Sequence, residues 1–225
     1  PWDRDDRVAE QIAAHMGVVV ERVDCVLEGG AVDGNGAGAV LTTESCLLHP
    51  NRGPGRTRPA MEQLLRHRLG AEQVLWLEGG IAGDDTDGHV DDVARFVATD
   101  TVVVAVEPDP GDVNHRPLAA NRDRLRHMRT ATRSPLLVAE VPMPRPLGQG
   151  ARRLPASHVN FLLTNGVALV PVFGGPSDER ALAILRECLP DRDVIGVGAS
   201  DLVIGCGAVH CLTQGVPSQA RGGEI

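Results

Sequence analysis

The stretch H-V-D-D-V-A-R-F-V-A-T-D-T-V-V-V-A-V, residues 89–106, is answered later in the chain by H-V-N-F-L-L-T-N-G-V-A-L-V-P-V-F, residues 158–173. Both read as strand, tight turn, strand, and self-similarity of this kind marks a repeated supersecondary unit. Each is followed by a polar loop and a helical stretch, 116–129 in the first case and 177–189 in the second. The latter has Asp178 and Glu179 at its start and Ala181, Leu182, Leu185 and Leu189 on one face. A further strand closes each unit, at 136–141 and 193–197. The earlier block has the same order: a hairpin over 32–42 through Asp33-Gly34-Asn35-Gly36, a helix over 59–69 stopped by Gly70, and a strand over 74–77. The sequence therefore predicts an α/β protein with three ββαβ units and the start of another at Leu202. Such a unit cannot bury its own sheet face, so several must pack around a shared centre on which corresponding strand ends converge.

The first repeat opens out of an acidic loop, G-D-D-T-D-G-H-V-D-D at 83–92, with five aspartates and one histidine in ten residues. A loop this acidic suits a cation. Because Val90, Val93, Phe96 and Val97 follow at once, it reads as a loop feeding a strand, with His89 and Asp91 at alternate positions on one face. Such a pair can move protons beside a bound positive group, although an Asp/Gly cluster is also the signature of a plain solvated turn. Glu28 stands where the extended stretch 18–27 meets Gly29-Gly30, and taken alone would be an exposed strand-end carboxylate. Near the other end, G-C-G-A-V-H-C-L-T-Q at 205–214 presents Cys211 after a glycine-rich approach. Glu28, the His89 and Asp91 pair, and Cys211 lie in different units, each at the junction of a strand with a glycine-rich turn. A thiol nucleophile needs a positioned acid/base and a cationic electrophile needs carboxylates, so the array suits attack on a guanidinium carbon.

Bulk composition narrows the classes. With 225 residues and 42% hydrophobic content the chain can bury a sizeable core. Its net charge is -8 and its positive charge is carried by arginine without a single lysine, which speaks against a nucleic-acid partner and suits a small cationic one. The longest apolar runs, such as 101–106 and 166–172, are strand-length, and the first residues show no basic-then-apolar leader, so the chain reads as cytoplasmic with no membrane partner. Five cysteines without C-x-x-C spacing argue against a disulfide framework and a thiolate zinc site. A helix over 3–16 is expected to turn Val8, Ile12 and Met16 inward, and the proline-rich stretch 141–155 reads as a loop, open to service as a lid.

The pieces P-W-D-R-D-D-R-V-A at Pro1, E-G-G at Glu28, L-T-T-E-S-C-L-L-H-P-N-R at Leu41, G-D-D-T-D-G-H-V-D-D at Gly83, N-F-L-L-T-N-G at Asn160 and H-C-L-T-Q at His210 run along nearly the whole chain. In that order and spacing the chain resembles the agmatine deiminases of the guanidine-modifying (pentein) superfamily, which are related to bacterial-type peptidylarginine deiminases. The resemblance implies a propeller of ββαβ units around a central active site. Here 1–225 would be a single catalytic domain with about four of five blades, lacking an N-terminal part that carries a second guanidinium-binding aspartate. It implies Cys211 as nucleophile, His89 as acid and then base, Glu28 as the carboxylate holding that imidazole, Asp91 on the guanidinium nitrogens and Asp85 near the distal amine. The implied reaction converts agmatine and water to N-carbamoylputrescine and ammonia, a step toward putrescine, with no metal and no cofactor; a homo-oligomer is left open. The sequence departs from the family where Cys206 and Ala208 replace glycine and asparagine before the nucleophile, and where His158 replaces tyrosine.

Three rival readings stand beside this one. His89-x-Asp91 with His158 or His210 could form a two-histidine, one-carboxylate metal triad. The chain could bind a guanidine without turning it over. It could also act on arginine or peptidyl-arginine, although a substrate carboxylate would need a nearby arginine where the acidic loop offers Asp85. Cys206 reads as a small buried filler, and His210, on the opposite face from Cys211 if the segment is extended, reads as structural.

Overall fold

The computed structural model describes residues 4, 7–130 and 133–215. After helix α1 (Val8–Met16) the chain builds β1 (Val32–Gly34), β2 (Ala39–Thr43), the single turn α2 (Glu44–Leu47), α3 (Arg58–Leu69) and β3 (Gln73–Leu77). The second unit is β4 (Ala94–Phe96), β5 (Thr101–Val106), α4 (His115–His127) and β6 (Leu137–Pro142). A short hairpin, β7 (Gly148–Gln149) and β8 (Arg152–Arg153), precedes the third unit: β9 (Leu162–Leu163), β10 (Val167–Val172), α5 (Ser177–Cys188) and β11 (Asp193–Gly198). In all three units the first two strands pair antiparallel and the third returns through a helix to pair parallel with the second. This is the ββαβ repeat read from 89–106 and 158–173, and it agrees with the pentein-type units that the resemblance implies.

Local chemistry explains the boundaries. The β1–β2 turn is tied by Asn35, whose Oδ1 accepts from the amides of Ala37 and Ala39 at 2.8 and 2.9 Å. Helix α3 starts on Thr57, whose side chain accepts from the Ala60 amide, and ends on Gly70 in the left-handed region. Asp178, in the first turn of α5, accepts from the amides of Phe173, Gly174 and Gly175, which staples the helix to the loop after β10 and sets a negative charge at its positive end.

One apolar core draws on all three units, with Leu41 and Leu77 from the first, Val102, Val104 and Leu125 from the second, and Phe161, Val170 and Leu185 from the third. Removing a fully buried leucine from such a core costs about 2–5 kcal/mol. Within this core lies a polar clasp that sequence reading missed. Arg95 on β4 donates through Nε to Asp33 Oδ1 on β1 at 2.5 Å and through Nη1 to the Phe161 carbonyl at 2.8 Å, while Asp33 Oδ2 accepts from the Phe96 amide at 2.6 Å. Three units thus meet at one buried, hydrogen-bonded ion pair. A second cluster packs Met61 and Leu65 of α3 against Trp76, Val40 and Leu47, and a third places Phe173, Ala199, Val203 and Ala208 under the approach to Cys211.

Four expectations are corrected. Val8, Ile12 and Met16 are 47%, 51% and 47% exposed and no residue of α1 is buried, because amphipathic spacing marks a face without supplying a neighbour for it. The expected helical start at 3–6 and the first motif's opening residues fall largely outside the described residues. At Leu202 no strand begins: 3-10 turns Leu202–Gly205 and His210–Leu212 flank Cys206, whose left-handed φ of 65° breaks an extended run. Residues 90–92 form a 3-10 turn rather than the start of a strand, and the 141–155 stretch contains the β7–β8 hairpin, anchored by the buried Met143 and Leu154 and by an Arg153–Asp112 ion pair at 2.6 Å. No described helix is long and apolar enough to cross a membrane.

Candidate active site

A cavity of about 400 Å³ opens where the Glu28-Gly29-Gly30 turn, the acidic loop and the 202–214 segment meet. Glu28, Asp85, His89, Asp91 and Cys211 all line it, so the structure brings together these five residues assigned from sequence. Two glycines make the convergence possible. A Cβ on Gly30 would stand 2.5 Å from His89 Nδ1 and 2.9 Å from Asp91 Oδ2, and one on Gly207 would stand 2.7 Å from Cys211 Cβ. The first contact also shows that His89 and Asp91 present their side chains to one wall, as their alternate spacing predicts, although the backbone between them is a 3-10 turn.

The sulfur of Cys211 lies 3.6 Å from Asp91 Oδ2 and accepts from Asn160 Nδ2 at 3.1 Å. Asn160 also fixes the local backbone: its Oδ1 accepts from the amides of His210 and Cys211 at 3.0 and 3.3 Å. Although Cys211 as a residue is exposed at the cavity wall, its thiol is sheltered. That burial, together with the charges of Asp91 and Asp92, pushes the thiol up to about 12, against the opposing hydrogen bonds. At neutral pH the resting group is therefore a thiol.

Asp91 is fully buried. Its Oδ2 accepts from His210 Nδ1 at 2.7 Å, while its Oδ1 has no hydrogen-bond partner. Asp92 is buried beside it, and burial, then the charges of Asp91 and Asp84, raise its pKa well above the usual carboxylate range.

His89 Nε2 stands 3.9 Å from Glu28 Oε1, an ion-pair separation rather than a hydrogen bond, and its amide donates to Asp84 Oδ2 at 3.1 Å. Glu28 is gripped by Arg52, with Nε to Oε2 at 2.9 Å and Nη2 to Oε1 at 2.7 Å. Against the upward pull of burial, the neighbouring His89 ring and this two-pronged guanidinium hold the Glu28 carboxyl down at about 2. Arg52 is itself buried and also donates to Asp87 Oδ2 at 3.0 Å and to the carbonyls of Cys46 and Thr86. At the rim, Asp85 is half exposed with its Oδ2 3.5 Å from Arg152 Nη2.

Two minor readings are corrected. Cys206 is half-buried and lines the cavity instead of filling a core, and His210 lines it as well, because the segment is a 3-10 turn whose successive side chains do not alternate. His158 lies elsewhere: it is buried, bonded to the Pro171 carbonyl at 2.9 Å and Ser177 Oγ at 3.2 Å, and burial draws its pKa down. Among the described residues the close sets of potential ligand atoms are Glu28, Cys46 and His89, and Asp91, Asp92 and Cys211; neither is the two-histidine triad considered above. Asn160, Asp92 and Arg52 carry site geometry that sequence reading did not assign. An asparagine set between Val159 and Phe161 in an apolar stretch is the one signal that pointed to such a residue.

This arrangement agrees with what the chain is similar to. It is 37% identical over 240 residues to the agmatine deiminase of Pseudomonas fluorescens, covering 98% of this chain and 65% of that protein. The solved structure of the agmatine deiminase of Enterococcus faecalis superposes with a TM-score of 0.91 at 36% identity, over 95% of this chain and 64% of that one. A substrate-bound C315S agmatine deiminase from C. jejuni gives 0.85 at 32% identity, over 92% and 61%. The chain thus spans somewhat under two thirds of the length of these relatives. The family model of the Porphyromonas-type peptidyl-arginine deiminases matches residues 1–217, and the chain belongs to that family.

Proposed function

We propose that this protein hydrolyses agmatine to N-carbamoylputrescine and ammonia, a step toward putrescine, with residues 1–225 acting as a single catalytic domain. The observation that supports it most is the convergence of a thiol, an imidazole and two carboxylates from distant parts of the chain on one cavity. In this reading Asp91 holds the guanidinium, and the bound cation offsets the negative field that keeps Cys211 protonated. As the proton of Cys211 passes to the His89 imidazole, the sulfur forms a bond to the guanidinium carbon and the C=N electron pair moves onto nitrogen. His89 delivers a proton to the departing nitrogen as the carbon–nitrogen bond breaks, releasing ammonia and leaving an amidino group on sulfur. The same imidazole then takes a proton from water, whose oxygen adds to that carbon, and the carbon–sulfur bond breaks to give the ureido product and free thiol. Glu28, kept ionised by Arg52, faces the imidazole across 3.9 Å, and Asp85 faces the distal ammonium.

The relatives' names and the acidic cavity support agmatine as substrate. The charge balance supports a cytoplasmic protein with neither nucleic acid nor membrane as partner. A second reading draws on one observation: Arg152, 3.5 Å from Asp85, supplies the cation that a carboxylate-bearing guanidine such as arginine would require. Ammonia release from agmatine, arginine and a benzoyl-arginine amide separates these readings, with agmatine expected to have the highest kcat/KM. Absence of turnover on all three, together with absence of a Cys211 adduct from a haloacetamidine, would defeat the assignment.

A further inference from the structure

We infer that His210 is a positioning residue for guanidinium recognition, acting through Asp91. This rests on the reading of the site just given.

Asp91 has two buried oxygens in unlike settings: Oδ2 accepts from His210 Nδ1 at 2.7 Å, and Oδ1 has no partner. Because a carboxylate only accepts, Nδ1 must carry the proton, which fixes the ring's tautomer. A carboxylate with one oxygen pinned cannot rotate away, so Asp91, which lines the cavity, is held there at constant geometry. The ring in turn is held by its backbone, since the His210 amide donates to Asn160 Oδ1 at 3.0 Å and to the Asn160 carbonyl at 3.1 Å. The same asparagine donates to the Cys211 sulfur at 3.1 Å. Asn160 therefore sets the distance between the group that binds the cation and the atom that attacks it, and His210 is the link from that frame to Asp91. A purely structural histidine would have no reason to spend its donor on a buried carboxylate that already faces the site; here the ring is only 20% exposed and lines the cavity.

The test compares His210→Ala, which removes the donor, with His210→Asn, whose amide nitrogen can stand near the place of Nδ1. Since Asp91 would hold the cation in ground and transition states alike, His210→Ala should raise the KM for agmatine roughly ten- to a hundredfold with kcat changed by less than about threefold. His210→Asn should recover most of that loss. In a Cys211→Ser background, calorimetry should show agmatine binding weakened by the same factor in His210→Ala. If His210→Ala does not fold, His210→Gln replaces it, keeping bulk while moving the donor out of reach. Unchanged KM and unchanged binding in the donor-deficient variant, or equal losses in it and in His210→Asn, overturns the inference while the unsubstituted protein's turnover upholds the deiminase reading. Failure of the unsubstituted protein to bind or turn over agmatine defeats that reading and removes the inference with it.

Discussion

Asn160 donates from Nδ2 to the sulfur of Cys211 across 3.1 Å, although 51 residues separate them in sequence. The bond places the thiol, and the same side chain's oxygen places the backbone that carries it. Substituting Asn160→Ala should therefore slow haloacetamidine labelling of Cys211 and lower kcat by about tenfold or more, since one side chain supplies several hydrogen bonds of about 1 kcal/mol each. Asn160→Asp should be slower still, because it adds a negative charge beside a thiol already held protonated by burial, Asp91 and Asp92. Equal labelling rates in all three proteins would contradict this placement.

The state of Cys211 gives an opposite-signed effect elsewhere. Removing the Asp91 charge should make the thiolate easier to form, since burial and then Asp91 are what lift the group to about 12. Asp91→Asn should thus speed alkylation by the neutral reagent iodoacetamide at pH 8 by roughly tenfold, one pKa unit's worth, while weakening agmatine binding. A variant that loses both reactivity and binding would point to misfolding or to another source of the shift.

Glu28 makes an acid-side contribution to stability. Its folded carboxyl is depressed from the ordinary 4.5 to about 2, so its stabilising effect is fully present above about 4.5 and is lost as pH falls through about 2. The group is 38% exposed, which moderates the size. Glu28→Gln should flatten the decline of Tm between pH 4.5 and 2 relative to the unsubstituted protein, and Arg52→Gln should do the same at a larger overall cost, because Arg52 also holds Asp87 and two carbonyls. Parallel melting curves for all three proteins across that range would rule the clamp out.

Gly30 is needed for closeness more than for backbone freedom. Gly30→Ala would set a methyl group 2.5 Å from His89 Nδ1 and 2.9 Å from Asp91 Oδ2, forcing one or both away. Activity should fall by at least about a hundredfold while Tm drops by only a few degrees, as the surrounding core is untouched. The comparison of kcat/KM with a thermal melt checks this directly.

Much of the fold was legible because period and punctuation are local properties. The strand-length apolar run at 167–172, the Asn35 turn and the Gly70 stop each specify backbone geometry without help from distant residues. The corrections arose where a neighbour decides. Val8, Ile12 and Met16 have helical spacing whether or not anything covers them, and Cys206 takes a left-handed conformation that its sequence neighbours did not announce.

For the site, residue types in the sequence determined the chemistry on offer: a thiol, an imidazole and carboxylates, each beside glycines that permit close approach. What only tertiary structure decided was state and partnership. The Asn160 frame, the Asp91–His210 bond, the Arg52 grip on Glu28 and the protonated resting form of Cys211 all come from side chains far apart in the chain. Charge and hydrogen bonding act through space at a few ångströms and depend on exclusion of water, and neither the distance nor the dryness is written in the order of residues.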